Sequence, residues 1–318
     1  MAPPEPPLHW DTRSLWEQLA PVLPGLSVEV LERTPSTNTT LLERARAALE
    51  PLPQDSGLAI VHRSVESAAF GRRSVDVQPC LLVAEQQTRG RGRQGRAWRS
   101  AAGASLTFSL ALPLQVADWS GLSLAVGVAL AEALDSAPKT GPGKLHIGLK
   151  WPNDLWLVDS AGSGRKLGGI LIETIAAGAC RLAVVGIGLN VRPLDAGDIS
   201  SGFACLQELD PAATAPTVLH RVALPLVLAL QQFERDGFGA FAEPFARRDL
   251  LCGHPVRTTQ PDVPEGIAQG VSAQGALLVR TAAGVRPVST GEVSVRLDLP
   301  LPQPEAAMRE QTVVRPPC

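Results

Sequence analysis

Cys80-Leu-Leu-Val-Ala-Glu-Gln-Gln-Thr-Arg-Gly-Arg-Gly-Arg-Gln-Gly-Arg-Ala-Trp98, followed by Ser105-Leu-Thr-Phe-Ser-Leu-Ala-Leu112, is the stretch on which the fold turns. Two apolar, β-like runs bracket a loop in which Gly90, Gly92 and Gly95 interleave with arginines. The glycine spacing is that of a dinucleotide-binding fingerprint, but such a loop must open a crossover helix. Here a second strand begins at Ser105, ten positions after Gly95. That excludes a Rossmann sheet and leaves a loop that would hold an anion with its own amides and guanidiniums. A solvated basic turn is the plain alternative at this point. A Walker A loop is excluded too, because neither Gly143-Lys144-Leu145 nor Gly164-Arg165-Lys166 supplies Gly-Lys-Ser/Thr.

Outward from this stretch, Leu15 to Leu23 is a short amphipathic segment and Ser27-Val-Glu-Val-Leu-Glu32 alternates as a strand. Thr34-Pro-Ser-Thr-Asn-Thr-Thr40 opens a helix that runs to about Leu49. Leu41, Leu42, Ala45, Ala48 and Leu49 form its apolar face, with Thr40 and Glu43 at capping-box spacing. Leu122 to Leu134 has helical apolar spacing, and His146 to Lys150, Leu155 to Val158, Leu167 to Thr174 and Arg181 to Asn190 follow as four successive strands. Strands in succession without helices between them predict an antiparallel or mixed sheet, hence an α+β fold. Thr217 to Arg248 is helical, and Pro225 and Pro244 are expected to kink or split it. From Leu251 short strands alternate with glycine turns, predicting a small β-barrel or sandwich over residues 251–298. The main unit would span 27–250, after a partly disordered extension 1–26. Residues 51–78 have weak periodicity and read as an insertion, and 299–318 as a disordered tail rich in proline.

The 318 residues carry a formal net charge of −2, so the arginine cluster is a local device rather than part of a basic surface for nucleic acid or an anionic membrane. Apolar residues make up 45% of the chain, enough for a large core, yet no apolar run approaches the ~20 residues that cross a bilayer. The five cysteines are scattered, odd in number and without a Cys-x-x-Cys pair, as in a reduced cytoplasmic protein. There is no Gly-x-Ser-x-Gly elbow and the histidines are isolated from one another, so hydrolase chemistry gains no support.

Three further segments place polar groups inside apolar sequence, where burial is costly without partners. In Lys150-Trp-Pro-Asn-Asp-Leu-Trp156 the proline stiffens a turn from which Asn153 and Asp154 project; a carboxylate there could ligate magnesium or orient an amine, or the segment is simply a hairpin turn. In Arg165-Lys-Leu-Gly-Gly-Ile-Leu-Ile-Glu173, Lys166 enters a strand whose glycines permit close backbone approach, with a hairpin-end lysine as the alternative. Gly186-Ile-Gly-Leu-Asn190 ends in an asparagine whose oxygen suits a metal and whose NH2 suits a phosphate; turn chemistry is the alternative.

Ser36-Thr37-Asn38, Gln87-Thr-x-Gly-Arg-Gly-Arg-x-Gly95, Lys150-Trp-Pro-Asn-Asp154, Lys166-Leu-Gly-Gly-Ile170 and Gly186-Ile-Gly-Leu-Asn190 occur in this order. In that combination the chain closely resembles the biotin protein ligases, over roughly Ser27 to Arg296. The resemblance implies a mixed α/β catalytic domain related to class II aminoacyl-tRNA synthetases, followed by an SH3-like barrel. It implies a reaction of biotin with ATP and magnesium in two steps. Biotin's carboxylate attacks the α-phosphate to give biotinyl-5'-AMP and pyrophosphate; a lysine of a biotin carboxyl carrier domain, that of acetyl-CoA carboxylase being usual, then attacks the anhydride.

The resemblance also implies site residues. Ser36, Thr37, Asn38, Gln87, Gly90, Arg91 and Gly92 would surround biotin, with Gly169 and Gly186 admitting it to the backbone and Lys166 reaching its carboxylate. Arg91, Arg93, Trp98, Asn153, Lys166 and Asn190 would face ATP, Asn190 also the metal. Arg93, Lys166 and Asp154 form the catalytic set, the two cations at the reacting carboxylate and phosphate and Asp154 orienting the acceptor lysine. Only about 35 residues precede Ser36, too few for the winged helix-turn-helix with which many relatives repress biotin genes, so a monofunctional ligase that binds no operator is expected. Arg89 stands where the family usually has a small residue. A lipoate or octanoate ligase or transferase of the same fold is the near rival, and a biotin-responsive regulator the rival of another class. Monomer and homodimer both fit. The Gly-Arg loop has little apolar area to hold it down, so it is expected to be mobile until ligand orders it.

Overall fold

Alternation along the strand that begins at Ser105 sorts the whole core. Leu106, Phe108, Leu110 and Leu112 join one large buried cluster, while Ala111 joins a smaller one on the opposite face, the side that also carries Thr107 and Ser109. The computed structural model describes residues 8–49, 68–70, 78–136, 144–177, 180–194, 202–289, 291 and 293–295. The expected N-terminal disorder before residue 8, most of the 51–78 insertion and the 299–318 tail lie outside the described residues.

In chain order the first strands are β1 (Ser27–Thr34), β2 (Ala68–Phe70), β3 (Cys80–Gln87), β4 (Gly90–Arg91), β5 (Ala97–Trp98), β6 (Ser105–Leu114), β7 (His146–Lys150), β8 (Asp154–Val158), β9 (Gly164–Ala177) and β10 (Cys180–Asn190). All but β4 and β5 form one eight-stranded sheet in the order β2-β1-β3-β6-β10-β9-β8-β7. β1 and β3 run parallel and the other neighbours are antiparallel, so the sheet is mixed, as expected. The helices are α1 (Thr12–Leu19), α2 (Thr37–Leu49), α3 (Leu122–Leu134), α4 (Ala215–Asp236) and α5 (Ala242–Ala246).

The two faces of the sheet carry different loads. On one face the large cluster gathers Leu15 and Leu19 of α1, Val126 and Leu130 of α3, and Leu226 and Phe233 of α4. Each fully buried Leu or Phe contributes about 1.5–3 kcal/mol, so this face is the main stabiliser. On the other face α2 lays Leu41, Leu42 and Ala45 on Leu82, Ala111 and Val184. Ala48, expected on that buried stripe, is exposed. The helix also starts earlier than its capping-box spacing implies. Thr40 lies inside the first turn, its hydroxyl donating to Ser36 O at 3.0 Å, and Ser36 immediately precedes the helix.

The long C-terminal helix breaks where glycine, not proline, dictates. α4 continues through Pro225, with Leu219, Val222, Leu226 and Leu230 buried on both sides of it. It stops at Gly237, whose φ of 64° and ψ of −164° are disfavoured for L side chains. Pro244 sits within α5, where its missing N–H falls in the first turn and costs little.

Five antiparallel strands follow: β11 (Pro255–Thr258), β12 (Glu265–Val271), β13 (Leu277–Thr281), β14 (Gly284–Val288) and β15 (Val293–Val295), in the order β14-β13-β12-β11-β15. This is the expected small β unit, of the SH3-like kind. It is fastened to the main sheet by Trp151, whose Nε1 donates to Gly275 O at 3.0 Å, and by a close approach of Gly275 to Gly121. Just before it, the buried Arg248 donates to Asp135 Oδ2 at 3.2 Å and to Ile147 O at 2.8 Å, fixing the start of β7. Removing either partner of such a buried pair typically costs ~3–5 kcal/mol.

Candidate active site

A cavity of about 520 Å³ opens on the α2 face of the sheet, where glycines on β9 and β10 leave the space that side chains would fill. Ser109, Gly186 and Leu171 are Cα partners across β6, β10 and β9, and the first turn of α2 lies over that row. A Cβ on Gly186 would stand 2.2 Å from Asn38 Oδ1, so only glycine admits the helix this close.

The α2 end of the cavity is a closed network. Ser36, Thr37 and Asn38 are each only 3% exposed. Asn38 Nδ2 donates to Leu171 O at 3.0 Å and to Glu173 Oε2 at 2.9 Å, and Ser109 Oγ lies 2.6 Å from both Asn38 Oδ1 and Thr37 Oγ1. Thr37 N donates to Gln87 Oε1 at 2.7 Å. The parallel pairing of β1 and β3 sets Thr34 beside Gln87, which delivers that side chain to the start of α2. Buried polar groups satisfied by one another in this way hold one geometry.

The Gly-Arg loop is a β4–β5 hairpin. Gly90 pairs with Trp98, and a Cβ on Gly90 would lie 2.4 Å from Trp98 O. Gly92 N donates to Arg96 O at 2.7 Å. Arg91 Nη2 donates to Glu173 Oε1 at 2.5 Å and its Nη1 to Thr39 Oγ1 at 3.1 Å, while Arg93 Nη2 donates to Gly291 O at 3.2 Å in the C-terminal unit. The hairpin is thus tied by polar contacts where the sequence promised no apolar hold. Trp98 lays its indole over Gly188, where a Cβ would meet the ring at 2.5 Å, and its buried Nε1 has no hydrogen-bond partner among the described residues.

At the far end, the β7–β8 hairpin turns through a cis Trp151–Pro152 bond. Asp154 Oδ1 lies 2.7 Å from Lys166 Nζ, and Gly169, the Cα partner of Asp154, leaves room beside both groups. Asn153 Nδ2 donates to Ile170 O at 2.7 Å. Asn190 Nδ2 donates to Ala204 O at 3.0 Å and to Lys166 O at 3.3 Å. Its NH2 is therefore spent on backbone rather than free for a phosphate, which leaves Oδ1 as its polar atom for a ligand. Among the described residues the cavity is lined by Arg91, Arg93, Arg96, Arg99, Lys150 and Lys166, with Asp154 as the one acidic lining residue. Such a wall selects an anion.

Every residue singled out from the sequence lines this cavity except Gly90, which shapes the hairpin behind it. The sequence reading passed over Ser109, Glu173, Gly188 and Val293. Ser109 left a trace, as a polar residue at the alternate position of an apolar strand, and so did Glu173, a charge inside one. Gly188 lay inside a motif already noticed. Val293 left none, since its place depends on how the C-terminal sheet docks.

Two family profiles match the chain: "Biotin/lipoate A/B protein ligase family" over residues 74–190 and "Biotin protein ligase C terminal domain" over residues 251–296. The chain is 31% identical over 305 residues to the biotin--[acetyl-CoA-carboxylase] ligase of Mycobacterium tuberculosis, covering 91% of this chain and 96% of that protein. The chain belongs to the biotin protein ligases. It is also 36% identical to the bifunctional ligase/repressor BirA of Salmonella typhimurium, over 67% of this chain but 66% of that protein, just under two thirds of the relative's length. A biotin protein ligase of Aquifex aeolicus, solved in complex with biotin and ATP, superposes with a TM-score of 0.61 at 25% identity, over 85% of this chain and 98% of that one. Among the described residues no helix is long and apolar enough to cross a membrane, and no three His, Cys, Asp or Glu side chains cluster as a metal site.

Proposed function

We propose that this biotin protein ligase activates biotin as biotinyl-5'-AMP and transfers it to one lysine of a biotin carboxyl carrier domain. The observation that carries the reading is the joining, in one cavity, of a sealed polar cradle to a cluster of cations. The cradle of Ser36, Thr37, Asn38 and Gln87, floored by Gly186 and Gly169, suits a compact ring with polar edges. Arg91 and Gly92 close it from the hairpin, and Gly90 keeps that hairpin tight.

In the first step a carboxylate oxygen bonds to the α-phosphorus and pyrophosphate leaves. Two anions must meet, so Arg93 and Lys166 stabilise the charge that builds between them, and Asp154 holds the Lys166 ammonium in place. Trp98 offers a flat face and a free N–H to the nucleotide, with Asn153 and Asn190 beyond it. Magnesium fits as an ion carried in by the phosphates, which usually supply much of its shell, with Asn190 Oδ1 as its protein contact. Bound there, it would neutralise phosphate charge. In the second step the carrier's neutral amine attacks the anhydride carbonyl and AMP leaves. Asp154 orients that amine, and positioning matters more than basicity because the carbonyl is already activated.

The acceptor is expected to be the carrier of acetyl-CoA carboxylase, the enzyme for which the mycobacterial relative is named. Residues 27–250 would form the catalytic unit and 251–298 its β companion. The buried thiol of Cys205 favours the reducing cytoplasm as the protein's place of work. Purified protein with ATP, magnesium, labelled biotin and a carrier domain should label one carrier lysine. Transfer of lipoate or octanoate in place of biotin would overturn the reading.

A further inference from the structure

Glu173 lies on β9 two residues beyond Leu171, on the face that carries Gly169, Leu171 and the neighbouring Val184 and Gly186 beside the polar Ser109. A carboxylate there needs a reason. It does not line the cavity. Its two oxygens instead serve two different pieces of it. Oε2 accepts from Asn38 Nδ2 at 2.9 Å, on the buried first turn of α2, and Oε1 accepts from Arg91 Nη2 at 2.5 Å, on the hairpin.

The two pieces differ in how firmly they are held. Asn38 is further fixed by Leu171 O and Ser109, whereas the Arg91 side chain is 43% exposed and its other contact is Thr39 Oγ1 at 3.1 Å. Through Glu173 the rigid helix end therefore holds the hairpin's first arginine, and with it the hairpin. We propose that Glu173 is a positioning residue that latches the Gly90–Trp98 hairpin over the cavity before ligand arrives. A hairpin already in place loses less freedom on binding and lets go of a trapped adenylate less readily. Glu173 would thus set how tightly biotin and biotinyl-AMP are retained, without touching either. This inference rests on the biotin reading for its ligand but not for its latch.

The experiment uses the full chain with Glu173→Ala and the isosteric Glu173→Gln. Glu173→Ala should raise the KM for biotin about 10-fold and speed release of biotinyl-AMP about 10-fold, while turnover at saturating biotin stays within about threefold. Glu173→Gln keeps an acceptor for Asn38 but loses the charge on Arg91, and should show the same changes at roughly threefold or more. Without any ligand, trypsin should cut at the hairpin arginines several-fold faster in both variants. Wild-type release rates and wild-type trypsin cutting in the folded Gln variant would overturn the proposal. So would a fall in saturated turnover with an unchanged KM, because that marks a group acting on the reacting atoms. If the unsubstituted protein formed no biotinyl-AMP, the biotin reading would fall, and the trypsin comparison would still judge the latch.

Discussion

At the α2 end of the cavity Ser36, Thr37 and Asn38 are nearly sealed from solvent and bonded to Gln87, Ser109 and the backbone of β9. At the other end the Lys166 and Asp154 side chains are 28% and 20% exposed, and Arg93 hangs from a hairpin onto a carbonyl of the C-terminal unit. One end offers a fixed shape, and the other offers charge on more exposed side chains. The difference suits the proposed reaction, in which the ring of biotin stays put while the phosphate, the pyrophosphate and then the carrier's amine come and go.

The comparison is most directly broken at the charged end. Lys166→Ala and Arg93→Ala should each slow adenylate formation by ~100- to 1,000-fold, the usual cost of losing one preorganised charge contact in a transition state, as read by pyrophosphate release. Near-normal release in both would remove the catalytic roles assigned here. At the sealed end the loss should fall on binding. Gly186→Ala places a methyl group 2.2 Å from Asn38 Oδ1, in a network with no slack, and should raise the KM for biotin by ~100-fold with a smaller change in saturated turnover. If it lowered turnover alone, shape and charge would not be separable along this cavity.

Gly188→Ala tests the boundary between the two ends. Its methyl group would push the Trp98 indole aside, so the KM for ATP should rise ~10-fold while that for biotin moves less. The smallest catalytic effect belongs to a site outside the cavity. Burial pushes the Asp249 carboxyl up to about 6, although the Leu251 and Cys252 amides pull the other way, and its Oδ2 has no partner among the described residues. A carboxyl whose folded pKa lies above its unfolded value destabilises the fold once it must ionise. Stability is therefore lost as pH rises from about 4 to about 6, by roughly 2–3 kcal/mol. Asp249→Asn should raise the melting temperature at pH 7, match the parent near pH 4 and leave turnover unchanged. A melting temperature at pH 7 equal to or below the parent's would show that the carboxylate has partners it needs.

Much of both ends was legible in the sequence, for a physical reason. Gly90 and Gly186 mark places where backbone or helix must come close, and Arg91, Arg93, Lys166 and Asp154 are charges set beside apolar strands, so the local pattern and the family resemblance flagged them. His146 to Lys150 and Leu122 to Leu134 were also readable, because their periodicity is undiluted. Pairings between distant strands were not. Ser109 joined the network at the start of α2 because β6 lies beside β10 in one register, and Glu173 because β9 flanks β10 on its other side. Pro225 misled in the other direction, since burial on both sides of it outweighs one missing hydrogen bond.

The contact between Arg93 and Gly291 joins residues 198 positions apart. A chain synthesised only as far as Asp249 would already carry Arg93, Asp154 and Lys166, yet would lack the carbonyl that receives Arg93. The setting of Arg93 therefore waits on the last strands, and a clipped chain would keep the side chains proposed for catalysis without this contact. The C-terminal unit in this sense completes the setting of a side chain that the main unit carries.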